Sequence, residues 1–297
     1  MLISKPLLKQ SIKSNSSLWA FSTLGLCIII GVLNLLVGGK DLTSGNVDMT
    51  EIGKYITALG QANLTLNGLF SALGFGSDLL QLMQNMNISF FIQEMYYSLA
   101  GIMLPMIFVI VTANKLVASQ IDNGSMAYVL STPTKRITVV FTQLFYLIGS
   151  LFCMYFLVTF VDTMTRLISA GSVDLANVVL LNLGSFIAMI AIAGICFMAS
   201  CLFNLSKYSL ALGGGITVFF FVCKILALFG TDSFVQVGMG VKEMKIFNYL
   251  TIISLYDTSS IAALNPVFIY KLLILLAIGV ITTTIGIYFF NKKDLPL

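Results

Sequence analysis

Apolar residues in this chain come in long unbroken runs rather than in alternation. No charged side chain lies between Lys13 and Lys40, Glu94 and Lys115, Arg136 and Asp162, Asp174 and Lys207, or Lys271 and Lys292. A further run after Lys207 is interrupted only by Lys224. Crossing a bilayer as an α-helix takes about 20 apolar residues. The runs therefore predict six spans, at 18–37, 95–114, 137–161, 178–203, 208–230 and 272–291. Barrel strands are excluded as the source of these runs, because they alternate over about ten residues. The expected fold is all-α: a polytopic membrane protein with six transmembrane helices and helical segments outside the membrane after helices 1 and 5.

Composition agrees with that reading. Of the 297 residues 58% are hydrophobic and 9% charged, against about 25% charged in soluble domains. Mean hydropathy is +0.98. A soluble fold has too little polar surface here to cover such a core.

The distribution of Lys and Arg sets the expected orientation. With six spans both ends lie on one side. That side holds Lys5, Lys9, Lys13, Lys115, Lys135, Arg136, Lys207, Lys292 and Lys293 against Asp122 and Asp294. The other side holds Lys40, Lys54, Arg166, Lys242 and Lys245 against the remaining ten acidic residues. Both termini and the 115–136 loop are expected to face the cytoplasm. Residues 1–17 read as a basic surface helix leading into an uncleaved anchor, because the apolar run is too long for a cleaved signal peptide. The 40–94 segment carries turn signals at Thr43–Asn46 and Gly74–Ser77 with helical spacing between them, which predicts an outer helical lid. Residues 231–266 read as a second outer segment, mostly helical and exposed near Lys242 and Lys245. Two glycosylation-type sequons, at Asn63 and Asn87, fall on the expected outer side.

Little in the chain suggests catalysis. It has no histidine, which removes Ser-His-Asp and Cys-His nucleophile schemes and zinc sites of the H-E-x-x-H kind. The five cysteines all lie in apolar stretches, and the Cys196–Cys201 spacing is not that of a metal site. An aspartyl intramembrane protease would need a Gly-x-Gly-Asp turn inside a span; Gly74-Phe75-Gly76-Ser77-Asp78 misses it and lies outside one. The net charge of +4 is small, and no nucleic-acid partner is expected.

The most specific stretch is the loop from Val117 to Arg136. Gly124 can end an extension of the second helix in a left-handed turn. Ser125 can cap a short helix from Met126 to Leu130, and Pro133 can stop it. Lys135 and Arg136 then anchor the third span at the headgroups. The short helix would project apolar side chains, Met126, Tyr128, Val129 and Leu130, that need a partner or else lie on the lipid headgroups. On these residues alone both readings stand.

This loop resembles the signature loop of ABC-2 type permeases, the membrane subunits of bacterial ABC exporters. In that family an acidic residue, a Gly followed by Thr or Ser, a Leu-rich turn, and then Pro and Arg follow the second of six helices. Asp122, Gly124, Ser125, Leu130, Pro133 and Arg136 stand at matching positions. The tail from Phe289 to Leu297 is similar to the Phe-x-x-(Lys/Arg)-Asp-Leu ending of many such subunits. One departure is Gln120, where many members carry Glu, which leaves Asp122 as the only carboxylate. The resemblance implies one ABC-2 transmembrane domain over 1–297, in a multi-pass protein of the bacterial cytoplasmic membrane. It implies a coupling helix within 115–136, with Gln120, Asp122, Gly124, Ser125, Met126, Tyr128, Leu130, Pro133, Lys135 and Arg136 forming the contact with a separate ATPase. Two ATPase subunits, a second permease copy or paralogue, and membrane lipids are the implied partners. ATP and Mg2+ would sit on the ATPase and no cofactor on this chain. The chain has no Walker A motif: Gly38-Gly39-Lys40 is followed by Asp41 and lacks the upstream glycine.

Three further positions are candidates for gating or substrate contact. Lys224 lies within the fifth span, where a central cation costs about 2.5–3.5 kcal/mol on insertion scales. Asp162 and Asp257 are its candidate partners, and snorkelling to the outer surface is the simpler account. Lys271, at the start of the sixth span, reads as a snorkelling lysine too. Pro105 should kink the second span. Gly214, within Gly213–Gly215, allows bending or close packing. An outward-moving hydrophobic or amphipathic substrate, of peptide or drug type, is expected. An ion-coupled carrier or channel is the alternative, but such proteins place several ionisable groups at mid-membrane.

Overall fold

The computed structural model describes residues 3–37, 94–131, 134–170, 173–231 and 241–294. The expected outer lid over 40–94 with its sequons, Pro133, and the last three residues of the tail lie outside the described residues. Helix α1 spans Lys5–Val37; a π-helical segment, Glu94–Ala100, runs into α2, Gly101–Leu116. Two short helices follow, α3 (Ala118–Asp122) and α4 (Ser125–Leu130), then α5 (Arg136–Ala170) and α6 (Leu175–Leu202). Helix α7 (Ser206–Ser209), a π turn (Leu210–Gly214) and α8 (Gly215–Leu228) form one rod. The 3₁₀ helices Lys242–Tyr249 and Ile252–Leu255, α9 (Thr258–Ala262) and α10 (Val267–Lys292) complete the chain. No strand occurs among the described residues. Six stretches are long and apolar enough to cross a membrane: Lys5–Leu35, Tyr96–Asp122, Arg136–Ser169, Leu175–Leu202, Ser206–Leu228 and Val267–Lys292.

The N-terminal segment differs from its expected form. Lys5–Val37 is one continuous helix of 33 residues, about 50 Å long at 1.5 Å per residue, rather than a surface helix followed by a span. The polar run Ser14–Ser17 does not break it, and two of its side chains, Asn15 and Ser16, bond back into the same helix. Asn15 Nδ2 donates to the Ser11 carbonyl at 3.0 Å, and Ser16 Oγ to that of Lys13 at 3.2 Å. The buried face of the segment seats on α5: Ser11 Oγ donates to Gln143 Oε1 at 2.8 Å, and Trp19 Nε1 to the Ser150 carbonyl at 2.8 Å. Thr142 Oγ1 accepts from the Ser4 amide, and the Lys293 carbonyl accepts from Arg136. These contacts place both ends of the described chain at the end of the bundle that carries α3 and α4.

Helix α6 is the centre of the bundle and packs most extensively on α10. Glycines set that distance. A Cβ on Gly194 would collide with Thr282 Oγ1 and meet the Gly279 carbonyl oxygen at 2.8 Å; one on Gly279 would meet Ile190 Cγ2 at 2.8 Å. Lipid provides no hydrophobic drive for helices to associate, so close backbone approach and interhelical hydrogen bonds hold them together. Pro105 is accommodated by such a bond. As a proline it cannot donate to the carbonyl four residues earlier, at Gly101, and Tyr155 Oη from α5 donates to that carbonyl at 2.8 Å instead. The position expected to kink the second span is thereby pinned to the third. Gly214 ends the π turn expected as a flexible triplet; a Cβ there would meet Ile110 Cγ2 of α2 at 3.2 Å.

At the end opposite the termini, four elements meet on one buried acid. Asp162 is 0% exposed. Its Oδ1 accepts from Asn34 Nδ2 of α1 at 2.9 Å and from Arg166 Nε, one turn along α5, at 2.8 Å. Its Oδ2 accepts from Tyr97 Oη before α2 and from Asn182 Nδ2 of α6, the latter at 3.2 Å. Arg166 Nη2 also donates to Tyr97 Oη at 3.1 Å. Asp162, one of the two candidate partners of Lys224, thus forms an ion pair within α5, because residues four apart share a helix face. Removing one partner of a buried pair leaves the other charge without compensation and costs about 3–5 kcal/mol. Asp162→Ala should therefore sharply lower the detergent melting temperature. Asp162→Ala combined with Arg166→Met should recover part of the loss; a double variant no more stable than Asp162→Ala would show that the charge pair is not what matters.

Candidate functional site

The loop between α2 and α5 forms a compact bracket. Helix α2 breaks at Val117 (φ −127°, ψ −71°) and resumes as α3. Gly124, at φ +74°, turns the chain through the left-handed region, which an L side chain rarely adopts. Gly124 itself is the N-cap of α4, so Ser125 is the first helical residue and not the cap expected from its hydroxyl. The side chain that serves this turn is Asn123, whose Oδ1 accepts from the Ser125 amide at 3.1 Å. Ser125 Oγ donates to the Gln120 carbonyl at 3.3 Å and ties α4 back to α3. Gln120 is half-buried, and its side-chain oxygen meets no donor among the described residues.

The C-terminal end of α4 is held by hydroxyls. Ser131 Oγ donates to the Tyr128 carbonyl at 2.9 Å and Thr134 Oγ1 to that of Val129 at 3.1 Å. The last carbonyls of a helix are the ones such hydroxyls can serve. Of the four apolar side chains expected to project, Met126 is 1% exposed and lies in the core, and Val129 and Leu130 are half-buried against it. Tyr128 alone stands out, 80% exposed. The difference follows from helical period: 126, 129 and 130 share the face that meets the bundle, and 128 lies opposite.

The bracket is fastened to the other helices. Asp122 Oδ2 accepts from the Ser206 amide at 3.1 Å, a carboxylate at the start of the α7–α8 rod. Asn114 Nδ2 donates to Ser206 Oγ at 2.7 Å, and Ser200 Oγ of α6 accepts from the Ala118 amide at 2.9 Å. Lys135 is exposed. Arg136 Nη1 donates to the Lys293 carbonyl at 2.9 Å, and Lys293 Nζ to the Cys201 carbonyl at 3.1 Å. Burial pushes the Lys293 ammonium down to about 8. A displacement of α3–α4 therefore bears directly on the end of α6 and the start of α7, while Arg136 joins the start of α5 to the end of α10.

Lys224 lies at the other end of the bundle, in the wall of a cavity of about 860 Å³ lined also by Lys245, Asp257 and Lys271. Lys271 pairs with Asp257 at 2.6 Å and does not simply snorkel. Partial burial pushes the Asp257 carboxyl up. The Lys271 ammonium, the Ser259 and Ser260 hydroxyls and the Ser260 amide outweigh that and hold it well below the usual carboxylate range. The sequence marks Asp162 and Asp257 only as candidate partners for Lys224. The missed signals were the i, i+4 spacing of Asp162 and Arg166, and the isolated Asn34 and Asn182 inside otherwise apolar runs.

The family model for "ABC-2 family transporter protein" matches residues 8–295. The chain belongs to that family: it is a multi-pass membrane protein and a transmembrane permease of an ABC transporter. The family's membrane subunits are generally non-catalytic, and membership implies association with ABC ATPase subunits. Neither a curated protein nor a solved structure gives a significant match.

Asp122→Ala should leave the fold intact but release the start of α7. The expected readout is faster amide hydrogen exchange at Ser206 and its neighbours, with the bundle interior unchanged. Unaltered protection there would mean that Asp122 does not fasten the bracket.

Proposed function

We propose that the chain is the membrane subunit of a bacterial ABC exporter, with both termini and the α3–α4 bracket in the cytoplasm. A separate ATPase subunit receives α4 in a surface groove. Two ATPase subunits work with two permeases, this chain and a copy or paralogue. ATP and Mg2+ bind on the ATPase, and this chain binds no cofactor. The cargo is a hydrophobic or amphipathic molecule, of peptide or drug type, moved outward by alternating access.

The observation that supports this reading best is the form of α4. It is a short helix tied at both ends that presents one large side chain, Tyr128, away from the bundle. A flexible loop would absorb a push; a bracket bonded to α6 and α7 passes it on. Within the proposed contact Tyr128 is the anchor, Met126 and Leu130 seat the helix on the bundle, and Asp122, Ser125 and Arg136 fasten its ends. Gln120 and Lys135 lie beside the same surface. Pro105 and Gly214 lie where α2 touches α5 and α8, and relative movement there would open the path. An ion-coupled carrier has less support, since the buried acid Asp162 is committed to Arg166 and three neutral donors.

Tagged protein co-expressed with its ATPase should co-purify with it, and Tyr128→Asp should abolish ATP-driven transport without reducing the amount of chain in the membrane. A buried aromatic anchor at an interface contributes about 2 kcal/mol or more, so Tyr128→Phe should be tolerated. Full transport by Tyr128→Asp would defeat the proposal.

A further inference from the structure

The cavity at the end opposite the termini is built from the last turn of α8, the two 3₁₀ helices and the first turns of α10. We propose that it binds an amphiphile whose phosphate-type headgroup carries a net negative charge. Three lysines and one aspartate line it, a formal charge of +2 among its lining side chains once Lys224, Lys245 and Lys271 are set against Asp257. Hydroxyls contribute little to recognition, because those of Thr231, Ser254 and Ser259 already donate to Leu228, Asn248 and Asp257. An ammonium carries three donors, so Lys271, which gives one to Asp257, retains others. An oxyanion with several acceptors meets such a set better than a single carboxylate does.

The depth of the cavity argues for an amphiphile over a soluble anion. Lys224 lies four residues before the end of α8 at Leu228, and Lys271 four residues after the start of α10 at Val267. Each is thus about 6 Å inside the end of its span at helical rise, the level where headgroups meet acyl chains. Ala227, Leu228, Ile252 and Leu255 supply an apolar wall beside the lysines. At the lip Tyr249 and Leu250 are 89% and 51% exposed, and they give an acyl chain a surface along which to leave the cavity. A volume of about 860 Å³ suits a headgroup with its first methylenes.

The test uses the full chain in nanodiscs of phosphatidylcholine doped with phosphatidylglycerol, with native mass spectrometry counting the lipids retained after release. Phosphatidylglycerol should be retained over phosphatidylcholine. One lysine near an anionic headgroup is worth about fivefold, so Lys224→Gln with Lys245→Gln should cut the preference at least tenfold while melting stays unchanged. Should the double variant fail to fold, Lys245→Glu at an exposed position should weaken retention at least fivefold, and Lys245→Arg should preserve it. Equal retention of the two lipids, or a preference that survives these substitutions, would overturn the proposal. Displacement by inorganic phosphate as effective as by the lipid would overturn its amphiphile part. The amphiphile could be a resident lipid or the cargo, and vesicles co-reconstituted with the ATPase separate these sources. ATP-driven redistribution of labelled phosphatidylglycerol marks cargo, and an unchanged distribution marks a resident lipid. Retention by the chain alone does not depend on the export reading, so the two can fail separately.

Discussion

Within a bilayer a polar group has no water to turn to, and an unsatisfied one costs several kcal/mol. That constraint organises this protein. Asp162 resolves it by drawing donors from α1, the segment before α2, α5 and α6 onto one carboxylate. The same rule places Tyr155 Oη on the carbonyl that Pro105 leaves without its helical donor. It also folds Asn15 and Ser16 of the first helix back onto its own backbone. Each polar contact names a particular neighbour, whereas apolar packing against lipid-like side chains specifies none.

The two ends of the bundle consequently differ in character. At the Asp162 end an ion pair and its neutral partners clamp four elements. At the end that carries the termini, α3 and the start of α5 are fastened by smaller bonds: Asp122 to Ser206, Ala118 to Ser200, Arg136 to the Lys293 carbonyl. Bonds of this kind transmit a displacement without fixing the bundle in one arrangement. Between the ends, close glycine contacts join α6 and α10, where side chains leave no room for adjustment. A push on α4 would reach the α7–α8 rod through Ser206, and that rod contains a π turn at Leu210–Gly214. Wide turns of this type often occur at functional positions.

Much of the architecture was legible from the runs of uncharged residues, since the length of a run is itself the physical requirement for crossing a bilayer. The Asp122–Gly124–Ser125 pattern located the bracket for a related reason: a left-handed turn calls for glycine wherever it occurs. Other features were hidden. Helical period and neighbour contacts decide that Met126 faces inward and Tyr128 outward, and the run Met126–Leu130 is apolar throughout. Ser125 has the right chemistry for a cap, yet Gly124 takes the position because the turn, not the hydroxyl, sets where α4 begins. The polar stretch at Ser14–Ser17 looks like a helix boundary until Gln143 and Ser150 supply a partner face for α1.

The amino-acid sequence by itself determined that this chain lies in a membrane, that six helices cross it, and where the connecting bracket falls, because those properties depend on hydrophobicity and local backbone preference. Tertiary structure alone decided which polar groups meet. Asn34, Tyr97, Asp162 and Asn182 are separated by as many as 148 positions between Asn34 and Asn182, and Lys224 joins Lys245, Asp257 and Lys271 around one cavity. Such meetings depend on how helices pack side by side, and hydrophobic pattern along a single helix carries no record of its neighbours.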